Sequence, residues 1–279
     1  MHRIAIHVFA GTRAVGIGAL VGTIAALFLY YTASPGDRSR TPPSKAANEA
    51  QSSVDLAHIV EESQRLAGEI ESDQILGPIA RAMRTADPER YANLHEQIRN
   101  DLASGMDRQS VLQHAARTLQ TPPADMRTWL ATAPHDALAR VRLDEIRMYE
   151  EAQRYAPSLC SLSDTARRDS MPAVPVSVMR LQARLYASRL EAYTAGRANP
   201  VQRPSMRLSQ ADDAMLVAQM RANGATSTDI AVLTDLAAQQ SADIPAQCAA
   251  LILYLNAIND LPEEESDRIT AWRMGPKAQ

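Results

Sequence analysis

Residues 87–107, DPERYANLHEQIRNDLASGMD, contain a helix together with the signals that begin and end it. Asp87 can cap the first turn, and Pro88 suits the first helical position, where its missing N–H costs nothing. Apolar residues then recur at helical spacing and predict one face that packs on a core: Tyr91, Leu94, Ile98 and Leu102. This segment therefore predicts an amphipathic helix.

The end of the same segment predicts a helical hairpin. Gly105 suits the left-handed position that follows a helix, and Asp107 can cap a second helix over residues 108–120. The same pattern returns in a long helix over about 134–155 and in another after the stretch PAVPV, whose prolines argue against a central strand. The sequence predicts an all-α body of the helical-hairpin or bundle type.

The last third of the chain repeats these signals. Ser209 caps a predicted helix that ends at Asn223-Gly224, and Ser227 or Thr228 is expected to cap the next, which runs to Gln240. An apolar helix then starts at Ile244, and its 13-residue stretch AQCAALILYLNAI has the length of a buried core helix rather than of a membrane span. Three glutamates at 263–265 suit the start of a final helix.

The N-terminal region contains an uncharged run of 20 residues, AVGIGALVGTIAALFLYYTA, at positions 14–33. At 1.5 Å of rise per residue this run is long enough to cross the hydrocarbon core of a bilayer. Arg13 borders it, and Tyr30 and Tyr31 lie where an interfacial aromatic belt is expected. Its GIGALVG resembles a dinucleotide-binding glycine pattern, but no capped amphipathic helix follows. We predict a transmembrane helix and no bound cofactor.

A cleaved signal peptide is the main alternative for this run. Cleavage after Ala33 would leave Tyr31 at a position that requires a small residue, so an uncleaved anchor is favoured. The basic residues on the two sides do not decide the orientation. Because Arg13 directly abuts the run, we expect the N-terminus in the cytoplasm and the helical body in the periplasm; a cytoplasmic-facing body is the alternative.

These features predict four parts of the chain. In order they are a short tail (1–13), the transmembrane helix (14–33), a flexible Pro/Ser-rich linker (34–52) and an all-helical domain (53–279). Two blocks of the domain, 94–116 and 216–238, share the order helix, glycine, cap and helix. They suggest two similar halves, about 53–160 and 205–279, although helix ends require such punctuation in any hairpin.

Charge and composition exclude some partners. The net charge is -3 and the sequence pI about 6.1, which gives no sign of a nucleic-acid surface. Only two of the 29 basic residues are lysines. Arginine forks can recognise phosphate or carboxylate, but these arginines are spread over every predicted helix. The base composition of a GC-rich bacterial genome explains them better.

Cys160 and Cys248 are the chain's two cysteines. An even pair far apart in sequence predicts a structural disulfide if the body is exported to an oxidising compartment. In a cytoplasmic body two buried free thiols are expected instead. No further cysteine lies near enough to either one to form a metal-binding pair.

Candidate chemistry is sparse along the chain. His58 lies within one helical turn of Glu61 and Glu62, which makes these three the weak candidates for a catalytic or metal site. LHEQIRN begins like the zinc-protease helix but has Arg99 where the second histidine would stand. Aromatic residues make up only 4% of the chain, which argues against stacking platforms for sugars or bases.

Gly18 and Gly22 form a small-xxx-small pair within the predicted span, a spacing that lets two membrane helices approach closely. They predict a homodimer or a larger membrane partner. Taken together, the sequence predicts a single-pass inner-membrane protein of the bacterial envelope whose periplasmic domain binds other envelope proteins, as a scaffold, adaptor, inhibitor or assembly factor. A membrane-tethered hydrolase or lyase on an all-α scaffold is the alternative, and the balance leans away from an enzyme.

Overall fold

A computed structural model describes residues 45–162, 174–203 and 208–276, with side chains from residue 56 onward. Within these ranges the chain forms twelve α-helices and one 3-10 turn and contains no strand, which confirms the all-α prediction. The predicted transmembrane helix at 14–33 lies outside the described residues. None of the helices that are described is both long and apolar enough to cross a bilayer.

The chain divides into two compact units, and the boundary falls between Pro122 and Pro123. The described part of the N-terminal unit contains four helices: α1 (Lys45–Ser72), α2 (Leu76–Ala86), α3 (Pro88–Ala103) and α4 (Arg108–Gln120). Their facing sides form an apolar core that includes Leu66, Ile70, Leu76, Met83, Leu94, Ile98, Val111 and Leu119. Tyr91 and Leu102, predicted on the same face as Leu94 and Ile98, are half-buried.

The helix ends of this unit follow the sequence signals. The Asp87 carboxylate accepts from the Arg90 N–H, and the Asp107 carboxylate accepts from the Ser110 N–H. Gly105 adopts a φ of 80°, as the left-handed position requires. The start of α1 differs from the expectation, because residues 45–52 are helical where we placed the end of the linker. The stretch KAANEAQ at 45–51 is rich in strong helix formers, which explains the earlier start.

The C-terminal unit holds the remaining helices. In chain order they are α5 (Met126–Leu130), α6 (His135–Tyr155), the 3-10 turn (Pro157–Cys160), α7 (Val176–Ala198), α8 (Gln210–Ala222), α9 (Ser227–Thr234), α10 (Leu236–Ser241), α11 (Ile244–Asp260) and α12 (Glu263–Met274). Helix α6 packs against α7, α11 and α12. The long predicted helix at 134–155 and the buried, apolar character of the helix from Ile244 are thereby confirmed.

Two details of this unit correct the sequence analysis. The cap of α9 is Thr226 rather than Ser227 or Thr228, because Thr226 and Asp229 form a reciprocal capping box. The helix predicted to reach Gln240 is broken at Asp235, whose carboxylate accepts from the N–H groups of Ala237 and Ala238 and so begins a new helix, α10. Asp235 therefore acts as an N-cap, although it lies within a mainly apolar stretch of sequence.

The two hairpins with similar sequences share the same turn. After α3 the Met106 N–H donates to the Asp101 carbonyl, and after α8 the Ala225 N–H donates to the Met220 carbonyl. Gly224 has a φ of 91°, close to that of Gly105. Both turns are the Schellman type of helix end, which any hairpin of this length can use. The duplication of the two halves stays a prediction.

Candidate functional site

The three candidate residues of the sequence analysis lie near the middle of helix α1. His58 and Glu61 are exposed, and Glu62 is half-buried. The Arg65 Nε donates to Glu62 Oε2 at 2.8 Å, and Arg108 Nε lies 3.8 Å from Glu62 Oε1. Glu62 thus lies beside two guanidinium groups, and the role of these three residues stays a prediction.

The other described histidines lie on separate helices. His95 packs edge-on against Tyr91 with ring centroids 4.5 Å apart, and burial lowers its pKa. His114 Nδ1 is 2.8 Å from the Asp101 carboxylate. His135, in the C-terminal unit, is 3.1 Å from Asp267. Among the residues described, no three His, Cys, Asp or Glu side chains form a group that could hold a metal ion.

Cys160 and Cys248 form a disulfide inside the C-terminal unit, with Cα atoms 4.9 Å apart. Both residues are buried, so the bond lies in the core rather than on the surface. It joins the 3-10 turn after α6 to helix α11, across 88 residues of sequence. The Leu162 N–H also donates to the Gln247 side chain at 2.8 Å, so a second bond ties the same two segments. The predicted pairing is confirmed in the structure.

The C-terminal unit contains a buried carboxylate between two arginines. Glu145 of α6 is 1% exposed. Its two oxygens accept from both terminal nitrogens of Arg273 on α12 at 3.2 Å, and Oε1 also accepts from Arg189 of α7 at 3.3 Å. Burial alone would raise the pKa of Glu145, but the two guanidinium groups outweigh it and leave that pKa lowered. Arg273 also lies over the ring of Tyr254, 5.4 Å from its centroid.

A second buried carboxylate, Asp267 of α12, has a similar environment. Its Oδ1 accepts from Arg142 of α6 at 2.8 Å, and its Oδ2 accepts from Arg203 at 3.2 Å. Arg203 also donates to the carbonyls of Ala131 and Ala133, at 3.0 and 2.8 Å. This carboxylate therefore ties the segment after α7 to the start of α6 and to α12.

These two clusters account for arginines that the sequence could have assigned to ligand recognition. Arg142, Arg189 and Arg203 are buried or nearly so, and each donates to a carboxylate of its own chain. The partners are up to 128 residues apart, so no spacing rule reveals them. Breaking ion pairs of this kind is costly, because it leaves an unpaired buried charge.

The exposed surface of the C-terminal unit carries several large apolar side chains. Two are mainly exposed, Leu236 at 67% on α10 and Tyr155 at 60% at the end of α6. Val176, the first residue of α7, is 38% exposed. Gly196, near the far end of α7, packs on the backbone before α6, so α6 and α7 are antiparallel and bring Tyr155 and Val176 to the same end of the helix pair.

Comparison with known proteins assigns no relative: no protein-family model, no curated protein and no solved structure matches this chain.

Proposed function

We propose that this chain is a single-pass protein of the bacterial inner membrane, anchored by residues 14–33, whose helical body lies in the periplasm and acts by binding other envelope proteins. Its role is that of a scaffold, adaptor, inhibitor or assembly factor. The observation that carries the proposal is the buried Cys160–Cys248 disulfide, because structural disulfides persist in oxidising compartments and are rare in the cytosol.

The distribution of polar and apolar groups supports binding to proteins. The carboxylates of Glu145 and Asp267 in the C-terminal unit are buried and form ion pairs with arginines of the same unit. Among the large hydrophobic side chains of this unit, Leu236 and Tyr155 are the most exposed. Tyrosine is a typical anchor of protein interfaces, and exposed apolar surface is typical of protein-binding sites.

Site-specific photo-crosslinking in living cells tests this proposal. A photoreactive amino acid in place of Leu236, and separately of Tyr155, should form covalent adducts with a membrane or periplasmic protein, since both side chains reach solvent. The same replacement at Glu191, which is exposed on α7, is the matched control. We expect strong adducts at the two apolar positions and weak adducts at the control.

Fractionation and thiol alkylation of the same cells test the proposed location of the protein. The chain should fractionate with the membrane, and its cysteines should react with an alkylating reagent in denaturant only after a reductant is added. Recovery of the full-length chain in the soluble fraction contradicts the anchor, and two free thiols before reduction contradict the exported body. Equal adducts at Glu191 and at the apolar positions contradict a specific binding surface.

A further inference from the structure

Helix α10 lies on the surface of the C-terminal unit and buries none of its own side chains. None of its residues, Leu236–Ser241, is buried, whereas every other α-helix of the described chain buries at least two residues. Leu236 is 67% exposed, the largest exposed fraction among the large hydrophobic side chains described. The apolar part of α10 is therefore left uncovered by the described chain.

The exposure of Leu236 follows from the helix break at Asp235. In a continuous helix Leu236 would stand four residues after Val232 and three after Leu233, and would share their buried face. The backbone at Asp235 is instead extended, with a φ of -124° and a ψ of 121°, and its side chain caps a new helix. The break thus turns outward a leucine that helical spacing alone would bury.

Hydrogen bonds, rather than buried side chains, hold α10 in place. The buried side chain of Gln247 on α11 donates through Nε2 to the carbonyls of Gln239 and Ala242, at 3.2 and 3.0 Å. Both carbonyls belong to the end of α10 or to the residue after it. A partner that covers Leu236 therefore meets a helix whose position is already fixed, which lowers the entropic cost of binding.

The surroundings of α10 carry negative charge. Residues 222–267, which include α9, α10 and α11, contain eight Asp and Glu residues and no Lys, Arg or His. Asp235 and Asp243 border α10 and are exposed. Each uses its Oδ1 atom to cap a helix, and neither forms an ion pair with a described residue. Because charges across an interface are complementary, an exposed leucine between two such carboxylates favours a cationic partner.

We propose that the exposed face of α10 is the docking site for a basic segment of a partner protein. An apolar side chain of that segment covers Leu236, and its Lys or Arg side chains meet Asp235 and Asp243. The inference rests on the proposed function and adds the chemistry of the partner. The same carboxylates disfavour an anionic lipid surface and a second copy of this face, since like charges would then be brought together.

Photo-crosslinking in living cells tests the chemistry of this partner. The photoreactive amino acid replaces Gln240, which is exposed one turn after Leu236 on the same side of α10, so that Leu236 and both aspartates stay native. Mass spectrometry of the adduct should identify a crosslinked segment in which Lys or Arg accompanies an apolar residue. L236S in this chain should lower the adduct yield about fivefold or more, with unchanged far-UV circular dichroism.

A charge variant with intact helix caps tests the two aspartates. D235N/D243N removes both charges and keeps both caps, because Asn and Asp are similarly good N-caps. It should lower the adduct yield about threefold. D87N/D107N is the matched control, since it makes the same replacements at two N-caps of the N-terminal unit and should leave the yield unchanged.

The outcomes separate this inference from the proposed function. A yield that survives D235N/D243N, or that falls equally with D87N/D107N, overturns the basic partner alone. An adduct with an acidic segment, with lipid or with a second copy of this chain does the same, as do adducts at Tyr155 without any at Gln240. The absence of adducts at both positions contradicts the proposed function as well.

Discussion

Glu145 carries a negative charge that lies between Arg189 and Arg273 in the C-terminal unit. A Glu145→Gln substitution keeps the shape of the side chain and removes the negative charge that both guanidinium groups face. Removing one partner of a buried ion pair costs about 3–5 kcal/mol. We expect urea denaturation to show a loss of that size, whereas Glu191→Gln, on the exposed side of α7, should change the free energy of unfolding by less than about 0.5 kcal/mol.

The contribution of Glu145 to the free energy of unfolding should also depend on pH. The arginines overcome the effect of burial and hold the pKa of Glu145 below its usual range. A carboxyl whose pKa is lower in the folded state adds stability above its unfolded pKa, about 4.3, and this stability is lost as the pH falls through the folded pKa. The difference between the native chain and Glu145→Gln should therefore shrink below about pH 4. A constant difference down to pH 2 would show that charge is not the cause.

The ion pairs of the buried arginines could not be predicted from the sequence. Arg142, Arg189, Arg203 and Arg273 look in the sequence like members of a scattered arginine population. Their partners are distant, with Arg189 44 residues from Glu145 and Arg273 128 residues from it. The packing of α6, α7 and α12 brings them together, so neither composition nor sequence spacing could locate the clusters.

Replacing either of two glycines within helices by alanine should change the stability of the protein, in opposite directions at the two positions. A Cβ on Gly196 of α7 would overlap the Trp129 carbonyl oxygen and lie 3.2 Å from the Ala133 backbone nitrogen. Since backbone cannot move aside cheaply, Gly196→Ala should destabilise the protein by about 1–3 kcal/mol. Gly68 of α1 has no atom within 4 Å of its added Cβ, and Gly68→Ala should stabilise by about 0.5–1 kcal/mol.

Thermal denaturation of the two glycine variants checks this contrast. The Tm should fall for Gly196→Ala and rise for Gly68→Ala, although both changes add the same methyl group to a helix. Hydrogen exchange should show faster opening around α5 and α7 in the first variant. If both variants raise the Tm, helix propensity rather than the close approach of α7 to the backbone before α6 decides the outcome.

Helix ends were the elements that the sequence predicted best. Asp87, Asp107 and Ser209 each cap the helix that was expected, because an N-cap is a local interaction between residues three apart. The prediction failed at Asp235, where an acid inside an apolar run begins a new helix, and at Lys45, where a helix starts inside the expected linker. The periodicity of apolar residues alone does not predict either of these two helix starts.

At the scale of the whole molecule, local signals specify the fold class but not the division into units. The two similar hairpins at 94–116 and 216–238 fall in different units, and helix α6 belongs with the C-terminal helices rather than with the N-terminal hairpin that precedes it in sequence. That grouping depends on contacts between distant helices, such as those of α6 with α11 and α12. Neither the capping residues nor the spacing of apolar residues reveals these contacts between distant helices.

The Cys160–Cys248 bond is the longest-range covalent constraint in the described chain, and it links stability to the compartment. It closes a loop of 88 residues, for which the chain-entropy model gives about 4–5 kcal/mol. Reduction leaves two thiols in an apolar core where they behave as small hydrophobic groups, so the loss should come mainly from the freed unfolded chain. Reduced protein and the oxidised protein should therefore differ in urea stability by about 2–5 kcal/mol.

A Cys160→Ala, Cys248→Ala double variant provides the control for that measurement. It should match the reduced native chain within about 1 kcal/mol and should not respond to a reductant. Hydrogen exchange should increase in α6 and α11, the helices that the bond connects through the 3-10 turn. Equal stability of reduced and oxidised protein would mean that the helices hold this geometry unaided. The bond would then give the chain no advantage in an oxidising compartment, and the main support for an exported body would be lost.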